Sequence, residues 1–129
     1  MPLLLDTTVL IDVLRGRPAA ERLRGLRERA PVPFVCAINV EELWRGVRMD
    51  ETAALGRLVA ALRLAPLYRA EAELAGGWRR TFAGMGVTLS QADCLIAAAA
   101  IGVGAVLATG NPKDFPMPDL VVEHWPVGG

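Results

Sequence analysis

Leu3-Leu4-Leu5-Asp6-Thr7-Thr8-Val9-Leu10-Ile11-Asp12-Val13-Leu14 decides how this chain folds. Three consecutive leucines make the short apolar run that a strand buried on both faces requires. An acid follows at once. Val9, Leu10, Val13 and Leu14 then recur at the spacing of a helix face, up to Gly16. A strand that passes straight into a helix is the first half of a strand–helix–strand unit. The same alternation continues downstream. The residues predict a helix over 19–29 entered through Pro18, a strand over 33–36, helices over 39–48 and 52–62, and a third strand over 64–67 broken by Pro66. A long helix over 69–83 is stopped by Gly84 and Gly86. Ser90 caps an apolar helix over 91–101 that stops at Gly102. Strands over 105–108 and 121–124 close the pattern. Alternation of this kind implies an α/β fold of three layers, α/β/α, with a short parallel central sheet flanked by helices and residues 1–129 in one domain.

Bulk properties narrow the function classes. The chain has 129 residues, 53% hydrophobic and 22% charged, a globular and not a disordered composition. No apolar run approaches about 18 residues, so no membrane span is expected. The apolar start lacks a basic segment and is cut short by Asp6, which reads as a strand and not as a signal peptide. Cys36 and Cys94 sit in apolar contexts without CxxC spacing and are expected as reduced, buried thiols of a cytoplasmic protein. His124 is expected at the surface or a strand edge. The 14 basic residues balance the 14 acidic ones, which argues against a general nucleic-acid binder. Arg15, Arg17, Arg22, Arg24, Arg27 and Arg29 nevertheless crowd one stretch against only Glu21 and Glu28. Guanidinium groups match phosphate oxygens; a solvated helix face is the alternative.

Four acids occupy equivalent places. Asp6 closes the first strand and Glu42 lies in the first turn of the helix after the second. Asp93 lies in the first turn after Ser90, and Asp114 just past the strand that ends at Ala108. Each has a structural explanation alone, since Asp6 and Asp114 could cap turns and the segments 39–42 and 90–93 resemble capping boxes. Caps need not point to one place, whereas a parallel sheet brings these acids to one edge, where ligands bind. Clustered carboxylates repel and call for a hard cation, Mg²⁺ or Mn²⁺. Such a site suits phosphodiester hydrolysis. The chain has no Walker A, no GxGxxG and no serine or cysteine nucleophile with a histidine base.

The residues also resemble a known family. Asp6-Thr7-Thr8-Val9-Leu10-Ile11-Asp12 looks like the opening motif of PIN-domain proteins. Glu42-Leu43-Trp44-Arg45-Gly46 looks like the glutamate–leucine–glycine motif of VapC-type members. Asp93 through Ala100 with Gly102 resembles their central aspartate helix, and Leu107 through Asn111 with Asp114-Phe115 their closing motif. The resemblance implies a PIN-like fold and a Mg²⁺- or Mn²⁺-dependent endoribonuclease. It further implies the toxin of a VapBC-type toxin–antitoxin pair, a homodimer neutralised by a cognate VapB-type antitoxin. It implies Asp6, Glu42, Asp93 and Asp114 as catalytic and metal-binding residues, with Thr8, Thr109 and Asn111 beside them. Asn111 stands where many members have aspartate, so either Asn111 or Asp114 fills the fourth position. On this reading water attacks phosphorus and leaves a 5′-phosphate and a 3′-hydroxyl.

Arg15, Arg45, Arg48 and Arg79 are candidate RNA-phosphate contacts. Trp44 and Trp78 are expected in the core or a dimer contact, with base stacking or antitoxin contact as alternatives. Leu55, Leu58, Val59 and Leu62, with Val47, form a stripe for the core or for an antitoxin helix. Rival functions are a catalytically silent RNA-binding or regulatory PIN module, a phosphatase-like α/β hydrolase and a DNA-directed nuclease.

Overall fold

The computed structural model describes residues 1–27 and 30–128. Strands β1 (Leu3–Leu5), β2 (Phe34–Cys36), β3 (Arg63–Ala65), β4 (Val106–Thr109) and β5 (Val122–His124) form one sheet in the order β3-β2-β1-β4-β5. Every pairing is parallel. The helices are α1 (Thr7–Leu14), α2 (Pro18–Arg27), α3 (Ala37–Gly46), α4 (Thr52–Ala60), α5 (Arg69–Gly84) and α6 (Gln91–Gly102). The chain steps outward from β1 to β3, returns through α5 and α6, and enters β4 on the other side of β1. The order therefore reverses between β1 and β4, and ligands of open α/β sheets bind in the crevice at such a point.

Strand alternation builds the three layers. Leu4, Cys36 and Leu107 face one cluster with Trp78, Ile96 and Ala97 to Ala100; Leu5, Val35 and Ala108 face the other with Val9, Leu10, Leu43, Leu55 and Trp125. Successive residues point to opposite faces, so both sides of these short strands are covered. Leu4, Leu5 and Leu107 are fully buried, each worth about 1.5–3 kcal/mol relative to exposure. The expected antitoxin-or-core stripe is packed into the second cluster: Leu55 is fully buried, and Val47, Leu58, Val59 and Leu62 pack against it. Trp78 is core, whereas Trp44 is 44% exposed and is no core residue. Cys36 and Cys94 are free and buried, and His124 is exposed on the edge strand.

Several boundaries differ from the sequence expectation. The helix after β2 begins at Ala37 and not at Asn39, because Asn39 Oδ1 accepts the Cys36 N–H at 3.0 Å and so acts from inside the first turn. Glu42 therefore lies in the second turn. β3 ends at Ala65, before Pro66, whose missing N–H cannot join the ladder. α4 ends at Ala60 and not at 62. α2 runs Pro18–Arg27, and positions 28–29 of the expected helix lie outside the described residues. The arginine-rich stretch is partly consumed by packing. Arg15 pairs with Glu51, Arg24 with Glu21, and Arg22 with Glu123 while lying 4.3 Å over the Trp125 ring.

Asp12 is a buried acid with a structural task. It is 1% exposed. Its Oδ2 accepts the Ala19 N–H at the start of α2, and its Oδ1 accepts the Gly128 N–H, both at 2.9 Å. One carboxylate thus caps a helix and ties down the C-terminal segment. Asp12→Ala leaves two backbone donors without their charged acceptor and is expected to cost about 3 kcal/mol. Urea unfolding checks this; a loss below about 1 kcal/mol contradicts it.

Candidate active site

β1 delivers Asp6 to the sheet's carboxyl edge, where the Asp6 N–H pairs with the Ala108 carbonyl at 2.9 Å. Asp6 stands at the N-cap position of α1 but makes no side-chain cap bond. Its Oδ2 instead accepts two hydroxyls, Thr109 Oγ1 at 2.8 Å and Thr8 Oγ1 at 3.2 Å. Each hydroxyl is itself held by a backbone N–H: Gly110 donates to Thr8 Oγ1 and Asn111 to Thr109 Oγ1, both at 3.0 Å. The loop after β4 is thereby laced to the end of β1 across the switch point. A Cβ added at Gly110 would meet Val127 Cγ2 at 2.7 Å, so a side chain there would have to push the Val127 side chain aside.

Glu42 reaches the same rim from α3. Its Oε1 accepts the Thr7 hydroxyl at 2.7 Å, and Thr7 Oγ1 in turn accepts from Asn39 Nδ2 at 3.0 Å. Glu42 is thus held by α1 and not by a cap of its own helix. Asp93 opens α6, where its N–H donates to Ser90 Oγ at 3.0 Å. Asp114 ends a 3-10 turn, Pro112–Asp114, past β4 and is exposed.

Electrostatics tie these acids together. Burial pushes the Asp6 carboxyl up, against the lowering effect of the Thr109 hydroxyl, the Thr7 backbone N–H and the Thr8 hydroxyl, and the Glu42 charge adds to the rise. Burial also raises Asp93, opposed by Ser90, and the charges of Asp6, Asp114 and Glu42 raise it further. Asp93 thus feels the charge of all three other acids, and Asp6 feels that of Glu42. Among the described residues, no three Asp, Glu, His or Cys side chains already stand close enough to share one ion. The rim is a gathering of negative charge and not a finished cage. That suits a hard cation that keeps most of its waters and takes one or two carboxylates. Carboxylate and hydroxyl oxygens are the donors it prefers, so the residues fit Mg²⁺ or Mn²⁺.

The cationic candidates are placed less uniformly. Arg45 is exposed on α3, one turn beyond Glu42. Arg48 is exposed and gives its backbone N–H to Glu51, and Arg79 is exposed on α5. Arg15 Nε is committed to Glu51 Oε2 at 3.2 Å. Sequence reasoning passed over Thr7 and over the role of Asn39. The usable signals were a second hydroxyl between Asp6 and Thr8, and an amide one helical turn before Glu42.

Comparison with known proteins gives a consistent result. The PIN domain family profile matches residues 3–116. The chain is 37% identical over 123 residues to ribonuclease VapC19 of Mycobacterium tuberculosis, covering 91% of this chain and 95% of that protein. Among solved structures, VapBC-1 from nontypeable Haemophilus influenzae superposes with a TM-score of 0.80 at 26% identity, over 97% of this chain and 98% of its own. VapBC2 from Rickettsia felis, bound to a promoter DNA fragment, superposes with a TM-score of 0.84 at 23% identity, over 97% and 99%.

Proposed function

Because the chain belongs to the PIN-domain family, in its VapC branch, we propose that it is a metal-dependent endoribonuclease and the toxin of a VapBC-type pair. The single observation that carries this reading is the gathering of acids at the β1/β4 switch point: Glu42 is held by Thr7, the neighbour of Asp6, and Asp93 feels the charges of Asp6, Glu42 and Asp114. The relatives support RNA as substrate and a VapB-type antitoxin as partner. Among the described residues, no helix is long and apolar enough to cross a membrane; action in the cytoplasm is part of the proposal and follows from the VapC reading.

Asp6 and Asp93 would hold Mg²⁺ or Mn²⁺, with Glu42 and Asp114 contributing through water. When bound, the cation supplies positive charge at the scissile phosphate and a water nucleophile at neutral pH. Thr8 and Thr109 keep Asp6 turned toward the rim. The Glu42 oxygen not engaged by Thr7 orients the attacking water and takes its proton. The water oxygen bonds to phosphorus in line as the bond to the 3′ oxygen breaks, and that oxygen takes a proton from solvent. Arg45, one turn along α3, is placed to meet an RNA phosphate.

End-group analysis of RNA cut in the presence of Mn²⁺ tests the reaction class. A 5′-phosphate and a 3′-hydroxyl are expected. A 2′,3′-cyclic phosphate would show that the ribose 2′-hydroxyl is the nucleophile and would overturn the water mechanism.

A further inference from the structure

The hydrogen bonds beneath Glu42 have a direction, and that direction is fixed from a buried end. Cys36 N–H can only donate, and it donates to Asn39 Oδ1 at 3.0 Å. The acceptor end of the Asn39 amide is thereby occupied, so its Nδ2 faces Thr7 Oγ1 as a donor at 3.0 Å. A threonine hydroxyl has one proton. Having accepted from Asn39, Thr7 turns that proton to Glu42 Oε1 at 2.7 Å. Asn39 is fully buried, so no water can replace it. The relay links the end of β2, the first turn of α1 and the second turn of α3, and it ends on a long, otherwise rotatable side chain.

We propose that Asn39 and Thr7 are positioning residues: a one-way relay anchored on the Cys36 amide fixes the Glu42 carboxylate at the rim. The proposal rests on the ribonuclease reading, in which Glu42 orients the attacking water. A helix cap alone does not require it. Capping the Cys36 N–H needs only the Asn39 oxygen, whereas the amide nitrogen and the Thr7 hydroxyl carry the chain of bonds on across α1 to Glu42. Thr7 also adjoins Asp6, so the same turn of α1 sets two acids that arrive on different elements.

Thr7→Val is nearly isosteric and removes the hydroxyl; Thr7→Ser restores it. Thr7→Val is expected to lower kcat about 10- to 100-fold with little change in KM, the loss that follows from a misplaced reacting group. Thr7→Ser is expected to recover most of that loss. Adding Thr7→Val to Glu42→Gln should cost little beyond Glu42→Gln alone, since both act through one carboxylate. A second readout does not involve cleavage. In ¹H–¹⁵N spectra of the metal-free protein, the Asn39 side-chain amide should shift in Thr7→Val and return toward its position in Thr7→Ser. Unshifted Asn39 resonances, a Thr7→Ser protein as impaired as Thr7→Val, or fully additive losses in the double variant each overturn the relay. Undiminished cleavage by Glu42→Gln overturns the role of Glu42, and the positioning role with it, even if the Asn39 resonances respond. The two failures are therefore distinguishable.

Discussion

Asp6→Asn is expected to lower RNA cleavage by at least about 10³-fold while leaving the fold intact, the order that follows from losing several kcal/mol of charge stabilisation. The fold survives because both hydroxyls that hold Asp6 converge on one oxygen, Oδ2, at 2.8 and 3.2 Å. The single amide oxygen of asparagine can occupy that place. What is lost is the negative charge, held at 5% exposure and, among the described residues, with no basic side chain bonded to it. For the same reason the metal-free variant should melt above wild type, since a poorly solvated charge has been removed. Loss of activity with a raised melting temperature separates a site residue from a structural one. Asp12→Ala should show the reverse, a lowered melting temperature, because that buried carboxylate is fully engaged by backbone donors.

A divalent cation is expected to stabilise the protein strongly at neutral pH and hardly at all in acid. Asp6 and Asp93 both titrate above the ordinary carboxylate value, chiefly through burial. The metal-free fold therefore binds more protons than the unfolded chain in the interval between unfolded and folded values. The stability this gives is fully present below the unfolded value and is lost as pH rises through the folded one. Above that point the rim holds uncompensated charge, and the cation relieves it. Millimolar Mn²⁺ at about 100 times its dissociation constant adds about 2.7 kcal/mol, a rise of several degrees by calorimetry at pH 7.5. The increment should vanish as pH falls through the raised values and protons displace the metal. Glu51 works in the opposite sense. Its carboxyl is held low by the Arg48 backbone and by Arg15, so its contribution is present above the unfolded value and is lost as pH falls through the folded one. A metal increment independent of pH between 4 and 7.5 would place the ion away from Asp6 and Asp93.

Much of this was legible in the residues. Leu3 to Leu14 announced strand, acid and helix, and the repeat of that pattern announced a parallel sheet. Parallel connectivity then sends Asp6, Glu42 and Asp114, which follow strands, to one edge, and Asp93 opens a helix beside them, so a shared rim could be expected without coordinates. The rest depended on tertiary choices that local preference does not encode. Asn39 reads as an N-cap because an amide satisfies a backbone N–H equally well from the cap or from the third helical residue. Only the end of β2 decides between them. Asp12 lies inside an apolar run, and its burial follows from where Ala19 and Gly128 come to rest. Trp44 carries the composition of a core residue, yet Leu43 beside it takes the inward face, leaving the indole at the surface. Arg15 belongs to a basic cluster in sequence but is drawn off by Glu51, a partner 36 positions away.

The most direct test is calorimetric titration of Mn²⁺ into RNA-free wild type, Asp6→Asn and Asp93→Asn under identical conditions. Saturable binding to wild type, weakened at least about tenfold by either substitution, is expected of carboxylates from β1 and α6 that share an ion. Identical isotherms for all three proteins, or none for wild type, would contradict it.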